Sequence, residues 1–229
     1  MRGLFVTGTD TEVGKTVVAG ALVAALRAGG IAAGAFKPAV TGLDEPEGDG
    51  GKPHDHALLA ACAGMEADDV APYRYGPAVS PHLAAELAGE VIDPERLLAV
   101  ARRSAEARGG TLVAEGVGGL LVPLTLDGYL VLDLVVGLGL PLVVVGRPGL
   151  GTINHTMLTV AAARARGVEV RGVVLTPWPE EPTEMQRSNA ATIEALTGVE
   201  VALMARVAGW SPEELASAGA GLPYDRWLS

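Results

Sequence analysis

Six short apolar runs set the tightest limit on how this chain can fold. They are "GLFVTG", "IAAGAF", "TLVAEG", "LVVVG", "RGVVLT" and, more weakly, "EVALMARV". A strand with one wet face alternates apolar and polar residues, whereas near-continuous apolar runs belong to strands buried on both faces. Helical stretches separate them. The segment Lys15–Ala28 is rich in Ala, Val and Leu and stops at Gly29-Gly30. Asp93-Pro94-Glu95 opens another helix with a cap, a first-turn proline and an acid, and this helix runs to about Arg108. Further helices are expected at about 153–166 and 184–196. Strand–helix alternation makes the sheet mostly parallel, with right-handed crossovers and helices on both faces. No repeat, low-complexity block or composition break divides the chain, so residues 1–229 are expected to form one α/β domain.

The remaining composition excludes other classes. The 229 residues carry a formal net charge of −10 and no basic run, which argues against a nucleic-acid partner. Cys62 is the only cysteine and lies in apolar "ALLAACAG", which suits a buried core thiol and rules out a disulfide framework. The apolar start of "MRGLFVTGTD" is too short for a signal segment. "YLVLDLVVGLGLPLVVVG" is very apolar, but Asp133 and Pro141 break it, so it reads as a buried helix followed by a buried strand and not as a membrane span. A cytoplasmic location is expected.

In open parallel sheets ligands bind beyond the carboxyl ends of the strands. The residues there are 7–16, 37–41, 115–119, 146–154 and 176–179. The first of these segments holds "GTDTEVGKT". Gly-Lys-Thr at the start of a helix marks a loop whose N–H groups cradle phosphates, with Lys15 reaching the outer phosphates and Thr16 ligating magnesium. The strict pattern has four residues between its glycines. Gly8 and Gly14 here have five. On spacing alone the loop is either a longer variant or a chance match.

Lysine usage adds an independent signal. The chain has fourteen arginines and three lysines: Lys15, Lys37 and Lys52. Lys15 and Lys37 both fall at carboxyl ends of expected strands, where a compact ammonium suits a point contact with one phosphate oxygen. Lys52, among Gly and Pro, reads as a solvated loop residue. Magnesium also needs carboxylates. Glu115 closes an apolar run before "GVGG", the place for a metal-binding acid, although Asp is more usual there. The loop 41–55 offers Asp44, Glu45, Glu47, Asp49 and Asp55, and physics alone does not choose among them. Asp55 opens an expected helix, "HDHALLAACA", and reads equally as an N-terminal charge on that helix or as a metal ligand.

"GTDTEVGKT", "KPAVTG", "HDHALL", "SPHLAAE", "VAEGVGGLLVPL" and "GTINHTMLT", in this order and spacing, closely resemble the dethiobiotin synthetase family from residue 4 to about residue 176. That family has a P-loop NTPase-like fold and carries the longer glycine loop. The resemblance implies an ATP- and magnesium-dependent ligase that joins CO2 to 7,8-diaminononanoate and closes the ureido ring. It implies that Glu12, Val13, Gly14, Lys15, Thr16 and Val17 surround the ATP phosphates, and that Lys15 stabilises the transferring phosphoryl group. Thr16, Asp55 and Glu115 would hold magnesium, and Lys37 matches the catalytic lysine. Glu115, Gly116, Val117 and Gly118 would lie near the phosphates, and Thr11, Thr41 and Gly118 near the diamine. Asn154, within the 152–155 segment, would reach the substrate site of the neighbouring subunit in a homodimer.

One departure stands out. The family commonly places Asn-Asp after the strand ending near residue 175, where the pair reads adenine. Here Thr176 and Pro177 supply no such amide and acid, and Val207, Ala208 and Gly209 are the other residues expected near the base. Two rival functions share this kind of fold. An ATP-driven partitioning switch usually carries an early loop lysine in Gly-Lys-Gly-Gly, and "TDTEV" has none. A cobyrinate-type amide-forming synthetase acts on an acid, and Lys37-Pro38 with a nearby hydroxyl favours the carbamate chemistry instead.

Overall fold

The computed structural model describes residues 1–46 and 51–229. In chain order the elements are β1 (Arg2–Gly8), α1 (Lys15–Ala28), β2 (Gly34–Phe36), α2 (Asp55–Ala63), α3 (Ala67–Val70), α4 (Pro81–Leu87), α5 (Pro94–Glu106) and β3 (Thr111–Gly119). They continue as α6 (Val131–Leu138), β4 (Leu142–Gly146), α7 (Thr152–Ala165), β5 (Val170–Trp178), α8 (Glu184–Thr197), β6 (Val201–Ala205), α9 (Pro212–Gly219) and α10 (Tyr224–Trp227). The six strands form one parallel sheet in the order β2-β3-β1-β4-β5-β6.

Strand residues of alternate parity feed two cores. Leu4, Val6, Val143, Val145 and Val174 pack with α1, α2 and α9 on one face. Phe5, Leu142, Val144, Val173 and Leu175 pack with α5, α6, α7 and α8 on the other. Both faces are therefore dry through the body of β1 to β5, as the apolar runs require, whereas the sixth run forms an edge strand, β6, that is only partly covered, with Leu203 46% exposed. α1 is buried along nearly its whole length because α2 and α9 cover the side turned away from the sheet. Cys62 is fully buried against this helix.

Three elements differ from their sequence outlines. The second run, "IAAGAF", is strand only over Gly34–Phe36. β5 continues past Thr176 to Trp178, with a cis peptide between Thr176 and Pro177. β3 does not stop at Glu115 but runs on through "GVGG" to Gly119. Its pairing shows why: Val6 faces Glu115 and Gly8 faces Gly119, so β3 spends two extra residues in a bulge. Gly118 provides the left-handed turn, φ 60°, that the bulge needs.

Candidate active site

The phosphate loop begins where β1 ends. Thr9 N donates to Val145 O at 2.8 Å, tying the loop to the neighbouring strand β4. Glu12 and Gly14 both have positive φ, 56° and 98°, so the backbone curls before α1 begins at Lys15. Gly14 caps the helix without a side-chain bond, leaving the first-turn N–H groups for a ligand. A Cβ on Gly14 would stand 2.8 Å from Thr176 Cγ2, so the glycine lets the loop lie directly on β5. Lys15 folds over the loop and donates from Nζ to Asp10 O at 2.8 Å. Arg147 donates to Thr11 O at 3.1 Å.

Sheet order brings the remaining groups together. β2 pairs with β3 as far as Phe36 and Ala114, so the next residues, Lys37 and Glu115, emerge side by side. Lys37 Nζ lies 2.7 Å from Glu115 Oε1 and 2.8 Å from Asp55 Oδ2. Thr16 Oγ1 donates to the same Glu115 Oε1 at 2.9 Å. Asp55 is the first residue of α2, where it charges the helix N-terminus, and its carboxylate also faces Lys37. Lys52 is not simply solvated, because its Nζ stands 2.9 Å from Asp55 Oδ1. Glu47 and Asp49 lie outside the described residues. Asp44 and Glu45 are exposed, and no described contact ties either to the Lys37 cluster.

The electrostatics follow from burial. Glu115 is completely buried, not a solvated turn residue, and burial pushes its carboxyl up despite the pull of Lys37. Burial opposes the charge of Lys37, but Asp55 and Glu115 together hold it well above the ordinary lysine range. Burial likewise disfavours the charge on Asp55, yet Lys37 and Lys52 hold this carboxyl far below the usual carboxylate range. Lys15 is lowered to about 8, first by burial and then by Lys37.

Glu115 Oε2 is buried with no hydrogen-bond partner. An orphaned carboxylate oxygen beside a threonine hydroxyl and a second carboxylate fits a small divalent cation. Among the described residues no group of three or more His, Cys, Asp or Glu could hold a metal. Magnesium suits such a sparse set, because it binds through one or two carboxylates and completes its shell with substrate phosphates and water.

The other site residues flank this centre. Thr11 is exposed, and its Oγ1 would be 3.7 Å from a Cβ on Gly118, so the loop and the β3 bulge meet there. Gly116 packs under Phe5 and Val131, where a Cβ would approach within about 3.1 Å of either. Val117 is half-buried in the bulge, and Val13 and Val17 pack into the core around α1. Thr41 is half-buried just past the bridge between Val40 and Arg74. Asn154 is exposed in the first turn of α7, whose cap is Gly151, so it is an early-helix residue and not the N-cap. Thr176 is buried and Pro177 exposed. Trp178 pairs with Ala205, and in the loop that follows Val207 and Gly209 are half-buried and Ala208 exposed. Lys52 on Asp55 escaped the sequence reading. Its spacing of three from Asp55, at the mouth of a helix, was the available signal.

A parallel sheet with a glycine loop between its central strand and a buried helix, ending in Gly-Lys-Thr, defines a P-loop nucleotide-binding domain. Residues 2–207 match a family model described as an AAA domain. In fold the chain is similar to a structure of the MinC:MinD cell division protein complex of Aquifex aeolicus, with a TM-score of 0.56 at 13% identity, over 98% of this chain and 87% of that one. In sequence it is 46% identical over 199 residues to the ATP-dependent dethiobiotin synthetase BioD of Anaeromyxobacter dehalogenans (strain 2CP-1 / ATCC BAA-258), covering 86% of each. It is 37% identical over 203 residues to the ATP-dependent dethiobiotin synthetase BioD of Bacillus subtilis (strain 168), covering 88% of this chain and 85% of that one. The chain belongs to the ATP-dependent dethiobiotin synthetase family, ligases of biotin biosynthesis. Among the described residues no helix is long and apolar enough to cross a membrane.

Proposed function

We propose that this protein converts 7,8-diaminononanoate, CO2 (supplied as bicarbonate) and ATP into dethiobiotin, ADP and phosphate. The observation that carries the reading is the buried ammonium of Lys37, 2.8 Å from Asp55 and 2.7 Å from Glu115, at the end of β2 beside the phosphate loop. Carbon dioxide adds to one amine, which gives up a proton and becomes a carbamate. A carbamate oxygen attacks the γ-phosphorus and ADP leaves, producing a carbamic–phosphoric anhydride. The second amine attacks the carbonyl carbon, and phosphate departs as the ring closes.

Each residue answers a physical demand of that sequence. Two anions, carbamate and triphosphate, must meet, so neutralisation and positioning matter more than covalent chemistry. The N–H groups of 12–17 at the start of α1 hold phosphate. Lys15 neutralises the transferring phosphoryl group, and phosphate near its ammonium offsets the burial that lowers it. Lys37 neutralises the carbamate. Magnesium held by Thr16, Asp55 and Glu115 would supply charge neutralisation at the outer phosphates. Thr11, Thr41 and Gly118 line the diamine, with Asn154 arriving from the neighbouring copy of a homodimer. Holding both amines in place makes ring closure intramolecular, which supplies up to roughly 7–11 kcal/mol in ideal geometry. The test is direct: incubation with 7,8-diaminononanoate, bicarbonate, magnesium and ATP should yield dethiobiotin by mass. No product with any of the four nucleoside triphosphates would reject the assignment.

A further inference from the structure

The glycine and proline neighbours of Lys52 point to a solvated residue, yet its ammonium lies 2.9 Å from Asp55 Oδ1. Lys37 lies 2.8 Å from Oδ2 of the same carboxylate. Both oxygens of Asp55 therefore carry an ammonium. The two lysines are held very differently. The Lys37 side chain is 4% exposed and shared between two carboxylates. The Lys52 side chain is 28% exposed, and its one ion-pair partner among the described residues is Asp55. A partly exposed pair on a long, flexible side chain contributes little, so Lys52 can turn into water at small cost. Lys37 cannot, because leaving would strand buried Glu115 without its cation.

A divalent ion on Asp55 would sit within a few ångströms of the Lys52 ammonium, where like charges repel. We propose that Lys52 is a positioning residue that competes with the divalent cation for Asp55: it holds Oδ1 and yields it when a cation is bound there. This rests on the reading of Asp55 as a metal ligand. Two carboxylates and a hydroxyl, opposed by a competing ammonium, bind a bare cation weakly. The cation then enters with the nucleotide, whose phosphates complete its shell. Lys52 also has a built-in exit, since displacement returns it to solvent and leaves the Lys37 bridge untouched.

Metal binding tests this without turnover. The full-length protein is titrated with Mn2+, with and without ADP, and free ion is followed by electron paramagnetic resonance. Lys52→Gln keeps the length and removes the charge, and should bind Mn2+ about three- to tenfold more tightly than wild type at low ionic strength. Lys52→Arg keeps the charge and should stay near wild type. High salt should narrow the gap between Lys52→Gln and wild type. Equal or weaker Mn2+ binding by Lys52→Gln in both conditions overturns the proposal. Asp55→Asn separates the two levels of inference. It should lose most of the Mn2+ affinity. If it binds Mn2+ like wild type, the assignment of Asp55 as a ligand is what fails, whatever Lys52 does.

Discussion

Single residues in this site work as a charge balance. One buried ammonium, Lys37, serves two carboxylates, and each carboxylate has a second donor, Lys52 for Asp55 and Thr16 for Glu115. Lys37→Ala should leave nucleotide binding by calorimetry near wild type and reduce turnover by about a thousandfold or more, since its charge is needed where carbamate and phosphate meet. Wild-type turnover in this variant would remove Lys37 from the mechanism. The base site carries the opposite lesson. A site built to hydrogen-bond a particular group rejects analogues strongly, because its polar groups would go unpaired. Thr176 and Pro177 present no amide–acid pair, and Thr176 is spent on packing against Gly14. CTP and GTP should therefore replace ATP with only a modest loss in kcat/KM. A preference for ATP over CTP of about a thousandfold, roughly 4 kcal/mol, would show that adenine is read by residues other than Thr176 and Pro177.

Elements were legible where local chemistry sets their ends. Gly29-Gly30 stops α1, and the Asp93 side chain accepts from Glu95 N at 2.9 Å to start α5. The apolar segment around Asp133 resolved into α6 and β4 for a similar reason. Asp133 accepts from Leu130 N at 2.9 Å and from Arg166 at 2.8 Å, closing the first turn of a helix that is otherwise almost wholly apolar. Partial burial works against its charge, but these bonds keep the carboxyl below its ordinary value of 3.8. A depressed carboxyl stabilises the fold above the unfolded-state value and loses that contribution as pH falls through the folded one. Asp133→Ala should thus cost about 1 kcal/mol at pH 7 by urea unfolding. The gap from wild type should hold down to about pH 4 and shrink only below that, as pH falls through the depressed folded value. A gap independent of pH would mean that packing, and not the charged cap, accounts for the loss. β3 was less legible: nothing local in "AEGVGGLL" reveals a bulge, because register is a property of two strands.

The whole molecule depends on contacts between segments far apart in sequence. Residues beyond 207, where the family model's match ends, include α9, which packs on α1. A Cβ on Gly219 would fall 2.2 Å from Ala21 O, so the two helices touch backbone to backbone. Gly219→Ala should destabilise by about 1–3 kcal/mol through overpacking, seen as a lowered Tm. An unchanged Tm would show that α9 can slide outward freely. On the same scale, the "GTINHTML" segment, which ends on Leu158, and the adjoining Leu150, 61% and 92% exposed, suit the proposed subunit interface. Light scattering at micromolar concentration should give a dimer, and a fully active monomer would refute shared active sites. By itself the sequence determined the parallel α/β architecture and put Lys15, Thr16, Lys37 and Glu115 forward as candidates at the strand ends, because burial patterning and helix-start chemistry are local and written in consecutive residues. Only the tertiary structure decided that Glu115 is sealed inside a strand, that Lys37 bridges it to Asp55, and that Lys52 holds the far oxygen of that acid. Those facts depend on which strands are neighbours and on where a loop returns, and no short stretch of sequence encodes such distances.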